Sequence, residues 1–307
     1  MRWKLPVLAG LGLAALVPAI AGCSPLVALN DWLVPGEGHV RHTDIAYGTG
    51  PRQTLDVYRP WPIEAEAEPA PVVVFFYGGS WSSGERGAYR FVGEALTSRG
   101  FVAVIPDYRV YPDVRFPAFV DDAAQAVRWV EDNIGRYGGD ARAIVLMGHS
   151  AGAHIAAMLI ADDRYLDRVG ARASAIRGFV GLAGPYAFDP LAYGSIRPIF
   201  QDANVPTMPI GLIDGDEPPM LLLHGAGDRT VQPENSRELA KRSRLAGGLA
   251  ELVEYDDLGH IGILLVLAYP LRGAAGMLDR IAAFVDRSVH GGDPLACRRN
   301  DAALTPC

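Results

Sequence analysis

Ala143-Ile144-Val145-Leu146-Met147-Gly148-His149-Ser150-Ala151-Gly152-Ala153-His154 is the stretch on which the fold turns. An apolar, β-prone run enters a Gly-x-Ser-x-Gly pentapeptide, and small residues suited to a helix leave it. Such a strand-to-helix turn holds its serine in a strained backbone conformation with Oγ raised above the sheet edge, while the flanking glycines let neighbouring backbone pass. Ser150 is therefore the candidate nucleophile, and residues 151–161 read as a buried helix. Three fixed positions recur by chance in many chains. The strand before and the helix after make this match specific.

A lone hydroxyl is a poor nucleophile at neutral pH, so it needs a base, an acid to orient the base, and donors for an oxyanion. Met220-Leu221-Leu222-Leu223-His224-Gly225 reads as a strand running into Ala226-Gly227-Asp228-Arg229-Thr230-Val231-Gln232-Pro233, which places Asp228 at a strand tip. Glu251-Leu252-Val253-Glu254-Tyr255 reads as another strand, and His260 falls in the loop after it. All strands of a parallel sheet end on one edge, where ligands bind, so Ser150, Asp228 and His260 are expected to converge there. His149 and His154 are read as packing or lining the pocket, because the base reaches the serine from a different loop; His224 is read as buried and hydrogen-bonded. Asp214, Asp216, Asp256 and Asp257 are rivals to Asp228, which wins on its strand-tip position.

Upstream, Val72-Val73-Val74-Phe75-Phe76 reads as a buried strand followed by Tyr77-Gly78-Gly79-Ser80-Trp81, about seventy residues before the elbow. Small residues there let backbone amides face a substrate oxygen, and losing one such donor costs about 3 kcal/mol of transition-state stabilisation. The amides of Gly79, Ser80 and Ala151 are assigned to this oxyanion hole, with Tyr77, Trp81 and His149 beside the substrate pocket.

From residue 43 to residue 287 the chain resembles the α/β-hydrolase superfamily, and within it the esterases with an HGG(G/x)W-type oxyanion loop: hormone-sensitive-lipase-like, kynurenine-formamidase-like and feruloyl-esterase-like enzymes. The likeness is carried by Leu55-Asp56-Val57-Tyr58-Arg59-Pro60, the 77–81 loop, Pro106-Asp107-Tyr108-Arg109, the Ser150 elbow, the Asp228 loop and His260, all six in order. It implies an α/β-hydrolase fold and acyl transfer on small, soluble esters, short-chain or small aromatic, without a cofactor. Tyr77 stands where these families carry a histidine, and its hydroxyl could brace the loop in the same way. An amidohydrolase or peptidase on the same scaffold is the near alternative. A lipid-tethered binding protein without chemistry is the distant one.

A chain of 307 residues, half of them hydrophobic, can bury one large core. Strand-like runs at 72–76, 101–105, 143–147, 178–182, 220–223 and 251–255 alternate with helical patterns, which argues a mostly parallel sheet with helices on both faces. After Pro117, apolar residues at three- and four-residue intervals predict a helix, with Asp121, Asp122, Arg128, Glu131 and Asp132 on its solvated face. Residues 63–71 read as a loop from an initial antiparallel pair to the parallel core, and the proline-punctuated 188–217 as a small cap over the site.

The amino terminus has a signal-peptide layout: Arg2 and Lys4, then an uncharged run to Ala21. Ile20-Ala21-Gly22-Cys23 resembles a bacterial lipobox, which would lipidate Cys23 and tether the protein in the cell envelope; Ser24 after it resembles lipoproteins sent to the outer membrane. An uncleaved amino-terminal helix is the alternative anchor. The expected division is residues 1–22 signal peptide, 23–39 tether, 40–290 catalytic domain and 291–307 tail, with Cys297 and Cys307 as a disulfide. Two cysteines lack zinc-site spacing, so no metal is implied. Net charge falls from −7 to −9 without Arg2 and Lys4, which argues against nucleic acid as a partner.

Overall fold

The six apolar runs form six parallel strands, and two further strands precede them, so that the sheet has eight. The computed structural model describes residues 34, 38–62, 68–273 and 275–291. The strands are β1 His39–Ala46, β2 Thr54–Pro60, β3 Ala70–Phe76, β4 Val102–Pro106, β5 Gly139–His149, β6 Ile176–Leu182, β7 Met220–Gly225 and β8 Ala250–Tyr255. The helices are α1 Arg90–Thr97, α2 Ala118–Asn133, α3 Ala151–Ala161, α4 Arg164–Val169, α5 Arg197–Phe200, α6 Glu234–Leu245, α7 Gly262–Leu265 and α8 Met277–His290.

Sheet order is β1-β2-β4-β3-β5-β6-β7-β8. Strand β2 runs antiparallel to both neighbours, and every other pairing is parallel. The chain steps one way from β3 to β4 through α1 and the other way from β5 to β6 through α3. Right-handed crossovers in opposite directions put α1 and α3 on opposite faces of the sheet. The reversal of winding lies between β3 and β5, so their carboxyl ends open the crevice in which doubly wound sheets bind ligands.

Burial on both faces explains why β3 to β7 read as continuous apolar runs. Val72, Val73, Val74, Phe75 and Phe76 are all fully buried, as are Leu221, Leu222 and Leu223. Helix α3 is enclosed almost throughout, which its run of Ala, Ile, Met and Leu permits. Helix α8 shows the one-sided alternative: Met277, Leu278, Ile281, Phe284 and Val285 face inward at three- and four-residue spacing, and Gly291 ends the helix in the left-handed region.

Three expectations need correction. Asp122 is not on the solvated face of α2: it is fully buried, takes hydrogen bonds from the backbone and guanidinium of Arg109, and receives one from Gln53 Nε2 at 2.8 Å. A buried carboxylate needs such partners, and helical periodicity cannot show them. His39, assigned to the tether, opens β1 opposite Pro60. Ala70 and Pro71, assigned to a loop, begin β3, and most of that loop lies outside the described residues. So do the signal peptide, Cys23, Cys297 and Cys307.

Candidate active site

Ser150 has φ 54° and ψ −124° between the end of β5 and the start of α3. That strained conformation is the elbow its sequence predicts. The two glycines of the pentapeptide are required by close approach: a Cβ on Gly152 would lie 2.1 Å from the Phe76 carbonyl oxygen, and one on Gly148 2.4 Å from that of Gly152. The turn is fixed to its neighbour by a bond from Ser150 N to Leu182 O at 2.9 Å.

His260 and Asp228 arrive from the ends of β8 and β7. Ser150 Oγ lies 2.9 Å from His260 Nε2, and His260 Nδ1 lies 2.6 Å from Asp228 Oδ2. An ionised carboxylate only accepts, so Nδ1 carries the proton and Nε2 is left to accept from the serine hydroxyl. The two loops are tied together by Ala226 N to Tyr255 O at 2.9 Å and Gly227 N to Leu258 O at 3.1 Å.

Asp228 is buried, which alone would raise its pKa. Hydrogen bonds from His224, His260 and the Val231 amide outweigh burial and hold it well below the usual carboxylate range. Its Oδ1 accepts from the amides of Thr230 and Val231 at 2.8 and 2.9 Å. His224 is buried as expected, with its Nε2 3.0 Å from Val231 O and 3.4 Å from Asp228 Oδ2, and with Ser236 Oγ 2.7 Å from its Nδ1. Asp228 is thus ionised, oriented and flanked by two imidazoles. The second of these contacts was not legible in sequence.

The loop after β3 brings Gly79, Ser80 and Trp81 to φ values of 134°, 53° and 56° in succession. Gly78 packs directly on the elbow, since a Cβ there would lie 3.0 Å from Ser150 Cβ. Ala151 opens α3, so its amide is among those with no acceptor inside the helix. Gly79, Ser80 and Ala151 therefore border Ser150, where sequence reasoning placed them.

Tyr77 does not line the pocket as expected. It is fully buried beneath the loop, stacked between Tyr89 and Tyr108 at centroid distances of 5.1 and 4.8 Å. Its hydroxyl donates to Asp107 Oδ1 at 2.6 Å and accepts from Arg52 Nη2 at 3.0 Å. Asp107 in turn accepts from the Arg86 amide at 2.7 Å and pairs with the Arg86 guanidinium, which also holds Asp56 at 2.9 Å and pairs with Asp44. This buried network supports the loop from below. The Tyr77 hydroxyl thus braces the loop in the way its sequence position suggested, and the 55–60 and 106–109 segments carry the acidic partners Asp56 and Asp107.

Trp81 does border the site. Its indole N–H donates to His154 Nδ1 at 3.2 Å, and His154 Nε2 donates to Thr207 O at 2.7 Å. His149 is likewise at the site, with Nε2 donating to the His260 carbonyl at 2.9 Å. Burial pushes the pKa of both His149 and His154 down to about 4, so both are neutral at pH 7.

Two cavities meet at Ser150, of about 210 Å³ and 550 Å³. The smaller is bounded by Trp81, Phe188 and Tyr193, and the larger by His260, Phe91 and Leu264. Among the described residues no group of three or more His, Cys, Asp or Glu could hold a metal ion, and no helix is long and apolar enough to cross a membrane.

Comparison with known proteins finds esterases similar to this chain. Residues 55–186 match the BD-FAE family. The chain is 31% identical to a probable isoprenylcysteine alpha-carbonyl methylesterase ICME of Oryza sativa subsp. japonica over 85% of its own length and 66% of that protein's. It is 30% identical to esterase LipQ of Mycobacterium tuberculosis, covering 86% of this chain and 66% of that one. It thus spans just under two thirds of the length of these curated relatives. Among solved structures, the butyrate-bound Est2 esterase of Thermogutta terrifontis superposes with a TM-score of 0.65 at 25% identity, over 79% of this chain and 92% of that one. Esterase B of Lactobacillus rhamnosis gives a TM-score of 0.70 at 20% identity, over 83% and 88%, a likeness of fold alone. By its sheet topology, its strand-to-helix elbow and its likeness to these solved esterases, the chain has the α/β-hydrolase fold.

Proposed function

We propose that the chain is a serine carboxylesterase acting by two-step acyl transfer on small esters, short-chain or aromatic. The observation that carries this reading is the continuous relay from Ser150 Oγ through His260 to Asp228, at 2.9 and 2.6 Å. His260 Nε2 takes the Ser150 proton as Oγ attacks the ester carbonyl. The oxyanion is held by the amides of Gly79, Ser80 and Ala151. His260 then gives its proton to the leaving alcohol oxygen, and an acyl group remains on Ser150. Water repeats the sequence: His260 removes its proton, hydroxide adds to the acyl carbon, and the acid departs as the proton returns to Ser150. Asp228, kept ionised by its donors, stabilises the imidazolium formed in each half.

The names of the relatives also supply a second reading, a methyl ester of a bulky acid. The same triad could cleave an amide. Hydrolysis of p-nitrophenyl acetate, butyrate, octanoate and palmitate, with Ser150→Ala alongside, tests the esterase reading: serine-dependent turnover that falls with chain length supports it, and turnover that survives in Ser150→Ala sinks it.

Residues 188–217 are proposed as a cap, because Phe188, Tyr193 and Ile196 from this segment wall the smaller cavity. For location, Arg2 and Lys4 before an uncharged run and Ile20-Ala21-Gly22-Cys23 support lipidation at Cys23 and a place in the cell envelope. Metabolic labelling with an alkynyl fatty acid, lost in Cys23→Ser, is the expected outcome. Labelling that persists in the variant would exclude that anchor. A disulfide between Cys297 and Cys307 is proposed on the same exported setting.

A further inference from the structure

The two cavities at Ser150 differ in one chemical respect that assigns them. In the tetrahedral intermediate the former carbonyl carbon carries Ser150 Oγ, the oxyanion, the acyl substituent and the leaving oxygen. Two of these positions are fixed by the elbow and the backbone amides. The leaving oxygen must lie within hydrogen-bond reach of His260 Nε2, because that nitrogen supplies its proton. His260 lines the larger cavity and not the smaller, whereas Ser150 borders both. From this we infer that the alcohol part of the substrate occupies the 550 Å³ cavity and the acyl part the 210 Å³ cavity, so that the enzyme takes esters of short acids with bulky apolar alcohols. The inference rests on the serine-hydrolase reading and adds the substrate class.

The walls support that division. The acyl side has less than half the volume of the alcohol side, and its aromatic wall is pinned. Trp81 packs edge-on against Phe200 at 5.0 Å, lies near-parallel to Phe188 at 6.4 Å and is held by its bond to His154, while Phe188 packs against Tyr193 at 5.7 Å. The alcohol side is lined by Ala88, Phe91, Leu264 and Leu265, and Ile261, 56% exposed, lies on its border. Arg52 also reaches this cavity, yet its donors are turned to Tyr108 O, Tyr77 Oη and Gly84 O in the wall.

Octyl acetate and methyl nonanoate are constitutional isomers that place the same chain on opposite sides of the ester, and their hydrolysis by the full chain decides the matter. We expect kcat/KM for octyl acetate to exceed that for methyl nonanoate at least tenfold. Along ethyl, butyl, hexyl and octyl acetate, each buried methylene should add about a factor of three to four until the cavity fills. Leu264→Trp should lower octyl acetate turnover about tenfold relative to ethyl acetate, and Phe188→Ala should raise methyl nonanoate about tenfold relative to methyl acetate. Preference for methyl nonanoate, or a flat alcohol series in a protein whose Ser150 reacts with a fluorophosphonate, overturns the assignment while leaving the hydrolase reading intact. Failure of Ser150 to react would overturn both.

Discussion

Acid should weaken this fold through a residue that takes no part in the proposed chemistry. His154 is fully buried between Trp81 and Thr207, accepting from the indole at Nδ1 and donating from Nε2. Burial lowers its pKa from 6.5 to about 4, against a partial opposing effect of the Thr207 hydrogen bond. Between those two values the unfolded chain binds a proton that the native protein refuses, so stability is lost as pH falls from about 6.5 and the loss levels off once the native imidazole also protonates near 4. At 1.36 kcal/mol per pH unit the full effect is about 3 kcal/mol, of which roughly 2.5 is expressed by pH 4.5. His154→Gln keeps a donor for Thr207 and an acceptor for Trp81 but does not titrate. Urea unfolding at pH 7.5 and 4.5 should show the wild type losing about 2 to 3 kcal/mol more than the variant over that interval. His149 acts in the same direction and cancels in the comparison. Asp228, with its pKa depressed, stabilises the fold above the ordinary carboxylate range and loses that contribution only below it. Equal losses in the two proteins would refute the reasoning.

Three further outcomes follow from the same contacts. Asp228→Asn should reduce kcat by about 10⁴, the cost of the wrong imidazole tautomer in the well-studied serine-protease template, with the melting temperature little changed; a loss under tenfold would show that His260 is oriented by something else. Arg86→Ala leaves Asp107 buried without its cation, while Asp56 keeps Arg41 at 2.7 Å, and should cost about 3 kcal/mol in denaturant unfolding, where a cost under 1 kcal/mol would contradict the bracing of the 77–86 loop. Gly152→Ala drives a methyl group into the Phe76 carbonyl and should give little soluble protein or a strongly lowered melting temperature; wild-type stability would mean that the elbow relaxes easily.

Much of the fold was legible because burial on both faces leaves a continuous apolar signature. Strands β3 to β7 and helix α3 announced themselves in this way, whereas α2 showed the three- and four-residue spacing of a one-sided helix. The Ser150, Asp228 and His260 positions were legible because each follows an apolar run, and parallel strands deliver their carboxyl ends to one edge. Asp122, Tyr77 and His154 were misplaced or half-read for one shared reason: each is a polar residue whose partner lies far away in sequence, at Arg109 and Gln53, at Asp107 and Arg52, and at Trp81 and Thr207. Periodicity reports which side of an element faces inward. It does not report which polar group waits there. Trp81 and His154 become neighbours only once the loop after β3 lies over α3.

The central claim is that Ser150 is activated by His260, and covalent capture tests it most directly. After brief exposure to a fluorophosphonate, the wild-type protein should gain the mass of one phosphonyl group on the peptide carrying Ser150, Ser150→Ala should gain none, and His260→Ala should react orders of magnitude more slowly while remaining folded. An unmodified wild type, or a modified residue other than Ser150, would contradict the account.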